Sequence, residues 1–171
     1  MLSRVAEALF WIGRYVERAE DTARLLDVHF HEMLEDPTVD EEDTCAVLLS
    51  VMGIPDDTAQ QHRTSFGLLE LLGYDESTPS SIVGALVAAR QNRRGAREAL
   101  SAEIWECLNS TYKPLPARVA AARDFGPAPF FNYVRDRAAT FAGYVDASMS
   151  QDASHDVLVL GRSLERVDMT A

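Results

Sequence analysis

One charged cassette occurs twice in this chain, and it restricts the fold to architectures that bring two similar helices together. The first copy reads Gly13-Arg14-Tyr15-Val16-Glu17-Arg18-Ala19-Glu20-Asp21-Thr22-Ala23. The second reads Gly161-Arg162-Ser163-Leu164-Glu165-Arg166-Val167-Asp168-Met169-Thr170-Ala171. The offset is constant at 148 residues, from Arg14 to Arg162 and from Arg18 to Arg166. Gly, Arg, Glu, Arg, Thr and Ala match identically, and Glu20 aligns with Asp168. Apolar packing alone does not call for repeated charges. Two equivalent helices placing equivalent charges in one site do.

On a helical wheel of about 100° per residue, Val5, Leu9, Ile12, Val16, Ala19, Ala23, Leu26 and Phe30 form one stripe at steps of four and three. Arg14, Glu17 and Asp21 fall on the other side, continued by the apolar residues Phe10, Leu25 and Val28. The last helix repeats this, with Leu158, Arg162 and Glu165 at the places of Phe10, Arg14 and Glu17. Charges embedded in that way need partners, because breaking an ion pair inside a protein costs ~3–5 kcal/mol. Arginine suits the task, since its planar fork holds a carboxylate by two parallel bonds.

Within one helix Glu17 reaches Arg14, or Asp21 accepts from Arg18 or Arg14. Between helices Arg14 pairs with Glu165 and Arg162 with Glu17. The candidate cluster is Arg14, Glu17, Arg18, Asp21, Arg162, Glu165, Arg166 and Asp168. Such a network either fixes helix register or grips a ligand and takes part in catalysis.

The remaining sequence is helical in pattern, with no sustained strand alternation. Helices are expected over 3–34, 43–52, 57–72, 80–109, 117–125, 130–150 and from 154 onward. Pro37 and the acidic run Asp40-Glu41-Glu42-Asp43 read as a solvated loop, and Gly53, Gly73 and Gly126 as stops. The expected fold is all-α: a single helical bundle of about six or seven helices over 1–171, with an internal repeat of a Gly-Arg-x-x-Glu-Arg helix. The final helix stops in mid-pattern, whereas Ala23 is followed by Arg24-Leu25-Leu26-Asp27. The chain therefore reads as cut before the second repeat is complete, a gap that a partner chain would fill.

A second feature is Arg90-Gln91-Asn92-Arg93-Arg94-Gly95-Ala96-Arg97. On a continuous helix Arg90, Arg93, Arg94 and Arg97 share one face. They would neutralise Glu17, Asp21 or Glu165, hold an anion, or form a solvated face with local pairs such as Arg94 to Glu98. Downstream, Glu103 and Glu106 are three apart and could face one cavity.

The formal net charge of −11 argues against general nucleic-acid binding and against adsorption to an acidic membrane. No apolar run reaches the roughly 18 residues of a membrane span, and the short run Ala8-Leu9-Phe10-Trp11-Ile12 is not a signal peptide. Cys45 and Cys107 fit no metal or redox spacing and read as reduced, half-buried thiols of a cytoplasmic protein. His29 and His31 lie on nearly opposite helix faces, and His29 with Glu32 stands alone, so no metal site is expected. No phosphate loop or nucleophile motif is present, and no cofactor is expected.

The opening residues 1–28, with Pro79-Ser80-Ser81-Ile82, Ala89-Arg90-Gln91-Asn92-Arg93-Arg94, Glu103-Ile104-Trp105-Glu106-Cys107-Leu108-Asn109 and residues 160–170, closely resemble the bacterial alpha-E family. That family is a predicted α-helical domain named for its Glu-Arg motif, matched here by Glu17, Arg18, Glu165 and Arg166, with Arg14 and Arg162 as the preceding arginines. Family members are generally about twice this length, so the resemblance is to their N-terminal half. The resemblance implies a setting beside ATP-grasp-type amide ligases, transglutaminase-like proteins and proteasome-like hydrolases, with no reaction established for the domain itself. Two readings follow. One is an accessory module holding an ATP-grasp-type ligase or its peptide substrate, with no enzymatic activity of its own. The other is a ligand-binding or catalytic domain that grips a carboxylate or phosphate through the Glu-Arg cluster. A homo-oligomer is a third arrangement.

Overall fold

The computed structural model describes residues 2–36 and 38–170. Met1, Pro37 (expected to open the first loop) and Ala171 (the last residue of the second cassette) lie outside the described residues. Among the described residues every regular element is helical. They are α1 (Ser3–Glu35), α2 (Glu41–Val51), α3 (Asp56–Ala59), α4 (Ser65–Leu68, continued by a π-helical segment Leu69–Tyr74), α5 (Ile82–Asn92), α6 (Ala102–Tyr112), α7 (Leu115–Phe125), α8 (Ala128–Ser148) and α9 (Ala153–Asp168).

The long first helix is the central rod. It packs on α5, α8 and α9, and the middle of its apolar stripe is fully shielded, with Leu9, Ile12, Ala19, Ala23 and Leu26 at 0% exposure, while Val5 and Phe30 at its two ends are half-buried. Two core clusters sit along it. One surrounds its C-terminal half and gathers Leu49, Leu68, Leu72, Ile82, Phe130 and Phe131. The other surrounds its N-terminal half and gathers Ile104, Leu108, Phe141, Val145 and Leu158. Burial of these side chains, worth about 1.5–3 kcal/mol each for the larger ones, is what holds the rods side by side.

Four sequence expectations about these elements are corrected. The acidic run is not a loop: Asp40 caps α2, its Oδ1 accepting the Asp43 N–H at 2.9 Å, and Glu41, Glu42 and Asp43 form the first turn. Negative charge is favourable at a helix N-terminus, so the run belongs there. The expected helix 57–72 is broken at 60–64, where Thr64 starts a new helix by accepting the Gly67 N–H at 3.0 Å. Gly73 does not stop it but lies inside the π-helical segment.

The expected helix 80–109 is broken as well. Its start is capped by Ser81, whose Oγ accepts the Gly84 N–H at 2.9 Å. It ends at Asn92, and α6 restarts behind a new cap, Ser101, which accepts the Ile104 N–H at 3.2 Å. Ala96 in between is completely buried, and a Cβ on Gly95 would press on Ala8 of α1. Tertiary packing thus overrides the strong helix propensity of this Arg- and Ala-rich stretch. These two breaks raise the number of helices to nine among the described residues.

Candidate functional site

The two cassettes lie on α1 and α9, and the structure brings them face to face. Phe10 meets Gly161, Gly13 meets Leu158 and Arg162, and Glu17 meets Arg162 and Arg166. Contacts advance together along both helices, so the pair runs parallel, related by a pseudo-twofold axis along its length. The crossing is set by two glycines. A Cβ on Gly13 would fall closer than 3.0 Å to the Leu158 carbonyl oxygen, and one on Gly161 equally close to that of Phe10. Both the glycines and the carbonyls they admit are separated by the repeat offset. Their repetition in the cassette was readable in sequence, but their role as the contact point was not.

Around this crossing each glutamate takes two guanidinium groups from the opposite helix. Glu165 Oε2 accepts from Arg14 Nε at 2.5 Å and from Arg18 Nη2 at 3.0 Å, and its Oε1 accepts from Arg18 Nε at 2.5 Å. Glu17 Oε2 accepts from Arg162 Nε at 3.2 Å, and its Oε1 from Arg166 Nε at 2.7 Å. Glu17 is 1% exposed and Glu165 2%. Their arginines are shielded as well, except Arg166, whose side chain is 64% exposed. Arg14 is flanked by Phe10 and Trp11, and Arg18 by Tyr15, within 6.0 Å of the ring centres.

Burial alone would pull the Arg14 guanidinium down, but its bonds to Glu165 and Asp168 outweigh that and raise it. Arg166 is raised by its hydrogen bond to Glu17 and by that charge. Both stay cationic at any working pH.

The symmetry ends at the rim. Arg14 also pairs with Asp168, whereas Glu20, the partner of Asp168 in the repeat, binds Arg24 one turn along its own helix. Asp21 receives neither Arg14 nor Arg18. Its Oδ2 is buried without a partner. Burial first, then the charges of Glu17 and Glu20, push its carboxyl up to about 6 against the opposing pull of Arg166 and Arg24. It lines an open groove of about 430 Å³ with Arg24, Val28, His29, Leu48 and Arg166. Val28, expected to extend the apolar stripe, is 58% exposed.

The raised carboxyl has a consequence for pH dependence. Between about pH 4 and about pH 6 the native chain holds a proton on Asp21 that the unfolded chain has released. The contribution of Asp21 to stability therefore falls as pH rises through that window and is a constant penalty above it. We expect Asp21→Asn to melt higher than the parent at about pH 7.5, with the difference vanishing towards about pH 4. Solvent screening holds the gain to about 1 kcal/mol. Thermal melts at the two pH values check it.

Sequence reasoning did not find a polar trio at this groove, with His29 and Cys45 buried and Ser65 half-buried. His29 is 2% exposed, and its Nε2 lies 3.2 Å from Ser65 Oγ and 3.7 Å from Cys45 Sγ. Burial lowers the imidazole pKa and pushes the Cys45 thiol up to about 11. Both cysteines are buried rather than half-buried. Such a thiol is a packing group and not a nucleophile.

The basic residues do not reach the glutamates. Arg90 lies in the last turn of α5, and Arg93, Arg94 and Arg97 lie in the turn after it, so the four are not on one helical face. Among the described residues none of them has a carboxylate within 4.0 Å. Glu103 and Glu106 both line a separate groove with Cys107, Ser110, Arg137 and Tyr144.

Comparison with known proteins places the chain. An uncharacterized protein of Mycobacterium bovis is 27% identical over 183 residues, covering 95% of this chain and 21% of that protein. Two uncharacterized proteins of Mycobacterium tuberculosis, from strains CDC 1551 and H37Rv, match with the same identity and coverage. The chain thus spans about a fifth of the length of the curated relatives it matches. No solved structure matches it significantly. The model of the Alpha-E family, described as a predicted alpha-helical domain with a conserved ER motif, matches residues 1–171, the whole chain and not an N-terminal portion of it. With Glu17-Arg18 and Glu165-Arg166 both at the helix crossing, this chain belongs to the Alpha-E family.

Proposed function

We propose that this Alpha-E domain is a non-catalytic helical accessory module of an ATP-grasp-type amide ligase system, and that it docks the ligase on the outer face of α9. The Glu-Arg crossing is the structural lock that holds α9 in place. Each buried glutamate is already saturated by two guanidiniums from the same chain and is sealed from water, which leaves it no free oxygen for substrate.

One observation carries the docking reading. Leu160, Leu164 and Val167 stand at the repeat positions of Ile12, Val16 and Ala19. On α1 those three are at most 3% exposed, covered by α5 and α8. On α9 they are 51%, 39% and 61% exposed. The same apolar stripe that one helix buries is bare on the other, and its counterpart shows what fits it: a helical layer presenting apolar side chains. The family resemblance supplies the ligase as the partner carrying that layer. The alternative reading, a domain gripping a carboxylate or phosphate through the Glu-Arg cluster, keeps only the groove beside Asp21 at that cluster, because the two glutamates are closed.

The test mixes the purified chain with the ATP-grasp-type ligase of the same genome and measures complex mass by light scattering after size exclusion. We expect a complex that Leu160→Glu with Leu164→Glu abolishes while the melting temperature stays within about 2 °C. A mixture with no complex, or one unaffected by the double variant, overturns the docking reading. A dimer of the chain broken by the same variant replaces the ligase with a second copy.

A further inference from the structure

We infer that the turn after α5 and the adjoining face of α6 form a strip that binds the carboxylates of an acidic peptide. This site is separate from the Glu-Arg lock and from the docking face of α9.

The strip is built from guanidinium groups laid on aromatic rings. Arg93 stacks over Trp105 at 3.8 Å from the ring centre, and Arg97 approaches the same ring at 5.9 Å. Arg90 stacks over Tyr112 at 4.2 Å, and its Nε donates to Asn109 Oδ1 at 3.3 Å. Trp105, Asn109 and Tyr112 recur at steps of four and three and line one side of α6. Glu103 and Glu106 look into the groove on the other side. The turn is anchored by buried Ala96 and by Gly95 against α1, so the arginines are held together and not splayed on a loose loop.

Three features point to an anion. First, among the described residues these four arginines have no carboxylate within 4.0 Å, in a chain whose acidic residues outnumber its basic ones by 27 to 16. Glu98, four residues from Arg94, does not pair with it. Second, Arg93 Nη1 has no hydrogen-bond acceptor among the described residues, so this guanidinium is not committed to a partner within the chain. Third, burial and the like charges of Arg90 and Arg94 lower the Arg93 pKa, so the cluster is held against its own repulsion. A stacked guanidinium keeps its edge N–H groups free, and that edge matches a carboxylate bidentately.

The spacing selects the ligand. Trp105 and Tyr112 are seven residues apart, about 10.5 Å along the helix. A self-repelling acidic chain in the polyproline-II form puts every third side chain on one side, at about 9.3 Å intervals. Two glutamates three apart thus reach the two stacked arginine positions. A nucleobase finds no free ring, because the guanidiniums cover Trp105 and Tyr112.

The test is calorimetric titration of the whole chain with octa-glutamate at low salt, beside octa-glutamine, inorganic phosphate and oligo-uridine. We expect saturable binding of octa-glutamate that weakens as salt rises, with none for octa-glutamine. Exchanging exposed Arg94 and Arg97 together for glutamine should cut affinity about tenfold or more, with an unchanged melting temperature. Arg63→Gln, outside the strip, should leave binding as it was. The inference fails on any of three results: no saturable heat with octa-glutamate, equal affinity in the Arg94/Arg97 variant, or tighter binding of phosphate or oligo-uridine than of the peptide.

Discussion

Glu165→Gln should lower the melting temperature by roughly 10 °C, more than Glu17→Gln does. Removing one partner of a buried ion pair costs about 3–5 kcal/mol, and each kcal/mol moves the midpoint of a chain this size by about 2–4 °C. The two glutamates are equally buried, so the order comes from their arginines. Arg18, 21% exposed, is left without its carboxylate when Glu165 loses its charge, and Arg14, 17% exposed, keeps only the rim residue Asp168. Of the partners of Glu17, Arg162 is trapped at 16% exposure, but Arg166 is 64% exposed and simply rehydrates. The global charge argues the opposite way, because each change removes one negative charge from a chain at −11. A variant that gains stability would show that net repulsion, and not the local lock, decides the outcome.

Gly161→Ala should have an effect of similar size by a different route. Its new Cβ meets Phe10 backbone atoms on α1, not the movable end of a side chain. The helices must part, and parting lengthens every Glu-Arg bond beside the crossing. Overpacking costs ~1–3 kcal/mol on its own, and the loosened ion pairs add to it, so we expect a total of about 3 kcal/mol or more by urea denaturation. Gly13→Ala should behave alike, since it meets the Leu158 carbonyl in the mirrored position. Gly143→Ala in α8 is the control. Nothing lies within 4 Å of its added Cβ, so helix propensity should stabilise that variant by up to about 1 kcal/mol. Equal effects at Gly161 and Gly143 would contradict a glycine-set crossing.

The parts of this molecule readable from sequence are those set by local periodicity. The stripe from Val5 to Phe30 gave α1 to within a residue, and the charged cassette singled out the residues of the crossing. Wheel angles could not choose among partners, however. Arg18 was as well placed for Asp21 on its own helix as for Glu165 on another. Only tertiary geometry assigns it to Glu165 and leaves Asp21 without a bond from it. The breaks at 60–64 and 93–101 were hidden for a related reason. Residues such as Arg93, Arg94, Ala96 and Glu98 favour a helix, and the turn exists because Ala96 is drawn into the core and Trp105 offers a ring to Arg93. The state of the α9 face was not legible either: Leu160, Leu164 and Val167 repeat the buried Ile12, Val16 and Ala19 of α1, yet among the described residues they remain 39–61% exposed.

The most direct test of the lock is a double-mutant cycle between Arg18 and Glu165, 147 residues apart in sequence and joined here by bonds of 2.5 and 3.0 Å. Stability would be measured for the parent, Arg18→Met, Glu165→Gln and the double variant. The account predicts a coupling energy of about 1.5 kcal/mol or more. A coupling within about 0.3 kcal/mol of zero, with the Arg18 effect shifted instead to a cycle with Asp21, would mean that the cassettes make their bonds within their own helices and do not lock α1 to α9.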